Sequence, residues 1–148
     1  MDIRKGAKYP AGSLSNFAPY SFEVDGVLCN SMEGFLQSLK FANVDMQKYI
    51  CTLVGSKAKL SGSKKVWKKK QVLYWKGIEY PRGGSEYQTL LDRAFNCIAK
   101  NTKFCSTLAA TNNANITHSL GKKIKRDTVL TQQEFCSRLQ KLRDYGGL

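Results

Sequence analysis

Histidine is almost missing from this chain of 148 residues: His118 is the only one, and the five cysteines (Cys29, Cys51, Cys97, Cys105, Cys136) are irregularly spaced with no CxxC pair. That excludes the ordinary mononuclear zinc site, which needs Cys or His ligands paired at short spacing, and no metal or cofactor is expected. The odd, scattered cysteines read as small core hydrophobes of a reducing compartment, not as a disulfide framework. No apolar run reaches the roughly 18–20 residues that cross a bilayer, and Met1-Asp2-Ile3-Arg4-Lys5 does not open a signal-peptide core. The expectation is a soluble cytoplasmic protein with no membrane partner.

Acidic residues are scarce as well. Eleven Asp and Glu stand against 24 Lys and Arg, a formal net charge of +13. Only three prolines occur, with no internal repeat and no long Pro, Gly or Ser tract to separate two halves, so residues 1–148 read as a single domain. Hydrophobic residues at 42% and aromatics at 11% suffice to fill one core, which argues against disorder despite the charge.

The charge is concentrated. Between Lys57 and Lys76 there are eight lysines and no Asp or Glu, with Trp67, Tyr74 and Trp75 interleaved. Such a stretch offers phosphate-facing charge and rings that can stack on a base, so nucleic acid is an expected partner. A solvated helix face that only keeps the chain soluble is the competing reading. Lysines with a single arginine nearby, Arg82, suit diffuse phosphate attraction better than base-specific readout.

The pattern predicts a mostly helical α+β domain with a small N-terminal hairpin. Residues 20–24 alternate in period two, Asp25-Gly26 is a turn signal, and Val27-Leu28-Cys29 forms the return strand. Asn30 is placed to cap the next helix, with Glu33 three residues on completing a capping box. Met32, Phe35, Leu36, Leu39 and Met46 gather on one helical arc toward the core, while Glu33, Gln37 and Lys40 share another face. A helical piece over residues 45–54 is expected to close at Gly55, and the lysine-rich segment to be partly helical. Residues 80–85, with Pro81, Gly83 and Gly84, read as a loop. Helices are predicted over 86–100 and 104–110, then a last one capped by Thr131 and Glu134, with Phe135, Leu139 and Leu142 on one side and Gly146 as terminator.

Leu14-Ser15-Asn16-Phe17, the Asp25-Gly26 turn, and Ser31-Met32-Glu33 through Gln37, Lys40 and Phe41 resemble the NADAR superfamily, the YbiA-like N-glycosidases. A weaker likeness continues through Tyr74-Trp75, residues 82–87 and Thr117-His118-Ser119. The chain departs from the family pattern at Gly34, where a histidine is usual, and after His118, where no Asp-x-x-Trp-Gly segment is found. The resemblance implies a compact, largely helical fold with a phosphate-sugar cleft, hydrolysing an N-glycosidic bond. The implied substrate is ADP-ribose on guanine in nucleic acid or a related ribosylamino nucleotide. It implies Glu33 and Lys40 as catalytic residues, Asp127 as the substitute for the absent family aspartate, and Asn16, Phe17, Gln37, Trp75, Arg82, Tyr87 and His118 as substrate-binding residues.

The chemistry is consistent with that assignment. A ribosyl group on an exocyclic amine can open to an imine, which a neutral lysine captures while a carboxyl group shuttles the protons. Against this, Glu33 has a sufficient structural role as a capping residue and Lys40 as a solvated lysine on a polar face. A direct displacement by water, with Lys40 only binding phosphate, also stands, as does a non-catalytic module that binds nucleic acid or ADP-ribose through the lysine run.

Overall fold

The computed structural model describes all 148 residues. The period-two alternation near the N-terminus becomes a hairpin, with β1 (Phe22–Val24) antiparallel to β2 (Val27–Cys29) and Val24 opposite Val27. Asp25 and Gly26 turn the chain with φ of 50° and 80°, the left-handed pair that matches strand twist. Asp25 then anchors the hairpin to the rest of the molecule: its carboxylate accepts from Trp75 Nε1 at 2.9 Å and pairs with Arg93 at 2.9 Å.

Helix α1 (Met32–Ser38) is capped one residue later than the spacing predicts. Ser31 Oγ accepts from Gly34 N at 3.0 Å, while Asn30 turns its side-chain amide to the Thr52 carbonyl at 2.9 Å. Glu33 therefore moves from the third to the second helical position, and its carboxylate is released from any capping box. The helix is also shorter than expected. Beyond Ser38 the chain tightens, with Lys40 N bonded to Gln37 O at 3.2 Å and Phe41 N to Ser38 O at 3.1 Å. Asn43 caps α2 (Val44–Cys51), so Met46 lies on a different helix and is 44% exposed instead of facing the core.

Close helix packing holds this region. A Cβ at position 34 would stand 2.8 Å from the Leu53 carbonyl oxygen and 2.9 Å from that of Ile50. Backbone cannot yield as a flexible side chain would, so the histidine usual at this point in the resembled family has no room here.

Gly55 opens α3 (Gly55–Gly62) instead of closing the helix before it. The lysine-rich stretch is helical only to Gly62 and then reaches a second hairpin, β3 (Val72–Trp75) with β4 (Ile78–Pro81). Its turn is Lys76-Gly77, with φ of 49° and 83°. The geometry is that of an Asp-Gly turn, but lysine is an uncommon first residue, and residues 80–81 belong to a strand where a loop is predicted.

The C-terminal half agrees with its pattern. It comprises α4 (Ser85–Ile98), α5 (Thr102–Ala109) and α6 (Gln132–Tyr145), the last with the expected capping box between Thr131 and Glu134 and ending at Gly146. Phe135, Leu139 and Leu142 are buried with Leu90, Leu91 and Phe95 of α4, each burial contributing about 1.5–3 kcal/mol before conformational entropy. The result is an α+β domain of six helices and two small antiparallel sheets. No helix is long and apolar enough to cross a membrane.

Candidate active site

Three side chains of the α1 region meet through hydrogen bonding and charge. Glu33 is fixed at its backbone by donating to the Asn16 carbonyl at 3.0 Å. One carboxylate oxygen, Oε1, accepts from Gln37 Nε2 at 2.9 Å, as the four-residue helical spacing allows. The other has no protein partner and is not sealed from solvent. Burial raises the Glu33 pKa, against the Gln37 bond and the positive charges of Lys59, Lys40 and His118, which lower it.

Lys40 shows the opposite shift. Burial lowers its pKa, the Glu33 carboxylate raises it, and repulsion from Lys68, Lys122 and Lys59 lowers it further. Its Nζ donates to the Gly62 carbonyl at 3.4 Å. The carboxyl is thus biased toward holding its proton and the amine toward releasing one, which suits a proton donor beside a nucleophile. Gln37, 7% exposed, bonds Glu33 and, like Lys40, borders Gly62: its Oε1 is buried with no partner and faces Gly62, where an added Cβ would collide with that oxygen.

The surroundings are cationic. Phe17 lies half-buried under Lys5 and Lys59, with ammonium groups 5.5 and 5.9 Å from the ring centroid. His118 is oriented by its Nδ1 contact with the Ile3 carbonyl at 2.6 Å and by edge-on packing against Phe135 at 5.2 Å. Since a carbonyl oxygen only accepts, Nδ1 donates in this bond, and Nε2 has no protein partner. The lysines at positions 57, 59, 64, 65, 68, 69 and 70 are all exposed.

Three predicted site residues are elsewhere. Trp75 is 2% exposed, its Nε1 held by Asp25 and its ring packed edge-on to Phe35 at 5.0 Å, so it has no free face for a base. Arg82 is 1% exposed and makes a two-pronged pair with Glu134 at 2.6 and 3.1 Å, adding Nε to the Thr128 carbonyl at 2.8 Å. Tyr87 is fully buried, its hydroxyl donating to the Val129 carbonyl at 2.7 Å beneath the Arg82 guanidinium. All three are buried with their polar groups paired inside the protein. Asp127 sits exposed on the short turn Lys125–Asp127 and holds no ion pair.

Sequence reasoning missed Gln47 and Gly62. Gln47 is buried and donates to the carbonyls of Phe41 and Tyr74, both at 2.8 Å, tying the turn that carries Lys40 to β3. A glutamine in a polar helix gives no sign of this. Two hollows, one beside Tyr20 and Asn101 and one beside Gln88 and Lys141, border neither Glu33 nor Lys40. No three His, Cys, Asp or Glu side chains gather as a metal site.

The fold is an α+β domain of the kind seen in YbiA of Escherichia coli. The solution NMR structure of that protein superposes with a TM-score of 0.60 over 96% of this chain and 80% of its own, at 16% identity. The chain belongs to the bacteriophage protein GP30.3 family, whose model matches residues 8–144. A relative in Enterobacteria phage T4, described as an uncharacterized 17.1 kDa protein in the Gp30-rIII intergenic region, is 34% identical over 147 residues and 97% of each chain.

Proposed function

We propose that this protein is a NADAR-type N-glycosidase that releases ADP-ribose from an exocyclic nitrogen of guanine in nucleic acid. The observation that carries the reading is the pairing of Glu33 and Lys40, each partly withdrawn from water, within range of each other's charge, and shifted in opposite directions. The YbiA-like fold and the motif resemblance support it, and the surplus of lysine favours a substrate with several phosphates over a small monophosphate.

In this reading the ribosyl ring opens to an imine between the former anomeric carbon and the base nitrogen. Neutral Lys40 adds to that carbon, Glu33 protonates the base nitrogen, and the carbon–nitrogen bond to the base breaks, leaving an iminium on Lys40. Water, deprotonated by Glu33, adds to the iminium carbon and returns the amine, and the released sugar closes again. Asn16 fixes the start of α1, Gln37 orients the Glu33 carboxylate, and Phe17 and His118 would contact the substrate.

The exposure of Asp127 favours a second reading, an ADP-ribose-binding module without turnover. Incubation with an oligonucleotide carrying ADP-ribosyl-guanine separates the two. Free ADP-ribose and restored guanine, detected by mass spectrometry, are the expected products; tight binding with intact substrate would overturn the enzymatic reading.

A further inference from the structure

Five of the seven phenylalanines, Phe22, Phe35, Phe95, Phe104 and Phe135, are core residues. The two that are not, Phe17 and Phe41, are half-buried, and each lies beneath lysine ammonium groups: Lys5 and Lys59 over Phe17, and Lys65 over Phe41 at 4.8 Å. They stand at opposite ends of α1. Phe17 follows Asn16, whose carbonyl receives Glu33 N, and Phe41 follows Lys40. Seven helical residues at 1.5 Å each make α1 about 10 Å long. Glu33 and Gln37 lie on α1 between these two ends, and Lys40 directly precedes Phe41.

A half-exposed ring covered by a mobile ammonium is a weak contact that a ligand can improve. A purine stacked on the ring buries more apolar surface, and the displaced ammonium is then free to pair with phosphate. The Phe41 backbone is also fixed: its N–H bonds to Ser38 O and its carbonyl receives Gln47 Nε2. Lys64, Lys65 and Lys68 are exposed along the adjoining turn.

Direction follows from the chemistry of the site. Glu33 must face the departing base and Lys40 the anomeric carbon, so the base lies toward Phe17 and the rest of the ligand runs past Lys40 toward Phe41. We infer that Phe41 and Lys65 form a nucleoside-diphosphate subsite, in which a purine stacks on Phe41 and Lys65 meets the diphosphate, while Phe17 faces the base that is released. The assignment rests on the N-glycosidase reading for its direction.

Titration with ADP, with Phe41→Leu, Phe17→Leu, Lys65→Gln and Phe41→Trp compared with the unaltered protein, tests it. The expected results are ADP binding at least tenfold weaker in Phe41→Leu, several-fold weaker in Lys65→Gln and unchanged in Phe17→Leu, with ADP quenching the indole fluorescence of Phe41→Trp. On the ADP-ribosyl-guanine oligonucleotide, Phe41→Leu raises KM with kcat within about twofold, and Phe17→Leu lowers kcat. Failure of the unaltered protein to bind ADP at millimolar concentration, or equal affinity in Phe41→Leu and no quenching in Phe41→Trp, overturns the subsite. Binding through Phe41 without cleavage keeps the subsite and overturns the hydrolase reading. Cleavage with unchanged KM in Phe41→Leu does the reverse.

Discussion

Gln37 Nε2 lies 2.9 Å from Glu33 Oε1, one turn along α1, while Gln37 Oε1 is buried without a partner against Gly62. The glutamine leaves its amide oxygen unpaired while its N–H holds the carboxylate in one orientation.

Gln37→Leu should therefore raise the Glu33 pKa further, because the lost bond favours the charged form, and should slow turnover by up to about 100-fold through misplacement of the carboxyl. An NMR titration of the Glu33 side-chain carbon checks the direction. Glu33 also opposes stability at neutral pH: its folded pKa is raised, so its stabilising contribution is present below the ordinary value of 4.5 and is lost as pH rises through the raised value. Glu33→Gln should consequently unfold at a higher temperature than the unaltered protein at pH 7 while losing activity.

Gly62→Ala should break the same contact from the other side. Its Cβ would run into Gln37 Oε1 and stand 3.1 Å from Lys40 Cδ. Overpacking of this kind costs about 1–3 kcal/mol, and a urea unfolding midpoint reads it directly. Activity should fall further than the stability loss explains, since Glu33 and Lys40, the side chains proposed to react, are both disturbed.

Part of this site was readable from residues alone. Glu33 and Gln37 share one face because four residues make about one turn of α1, whereas Lys40 lies past the helix end on the tightened turn after Ser38, which the helical spacing does not describe. The cap was misread because Asn30 and Ser31 are both good capping residues, and the choice between them is made by the Thr52 and Leu53 carbonyls, more than twenty residues away. Arg82 and Tyr87 lie inside, where a cleft position was expected, for a similar reason. A loop arginine is ordinarily solvated, but Glu134 in α6 draws this one inside. The hairpin around Lys76-Gly77 lacked a turn signal, and its register is supported by Gln47 Oε1 accepting from Lys76 N at 3.1 Å. Local pattern fixes periodicity and caps; partners distant in sequence decide which polar residue is buried.

The buried pair of Arg82 and Glu134 should be a principal stability element. Burial alone would raise the Glu134 pKa, but bonds from Arg82, Gln88 and the Thr131 N–H hold it at about 2. Its contribution is present above the ordinary value of 4.5 and is lost as pH falls through about 2. Glu134→Ala, which leaves a buried guanidinium unpaired, should cost about 3–5 kcal/mol in chemical unfolding at pH 7, with the gap to the unaltered protein narrowing in acid.

The exposed lysines should give salt-dependent binding to polyanions. Neutralising Lys64, Lys65, Lys68, Lys69 and Lys70 together should flatten the slope of log affinity against log salt for an oligonucleotide, since each lost phosphate contact removes a share of counterion release. Fluorescence anisotropy at stepped salt concentrations measures it, and an unchanged slope would make the run a solubilising face.

The covalent step at Lys40 is tested most directly by borohydride reduction during turnover of an ADP-ribosyl-guanine oligonucleotide, followed by peptide mass mapping. The predicted result is an ADP-ribose adduct on Lys40 that is absent in Lys40→Arg, whose guanidinium keeps the charge but cannot attack, and reduced in Glu33→Gln. Full turnover by Lys40→Arg, or an adduct mapped to another lysine, would contradict it.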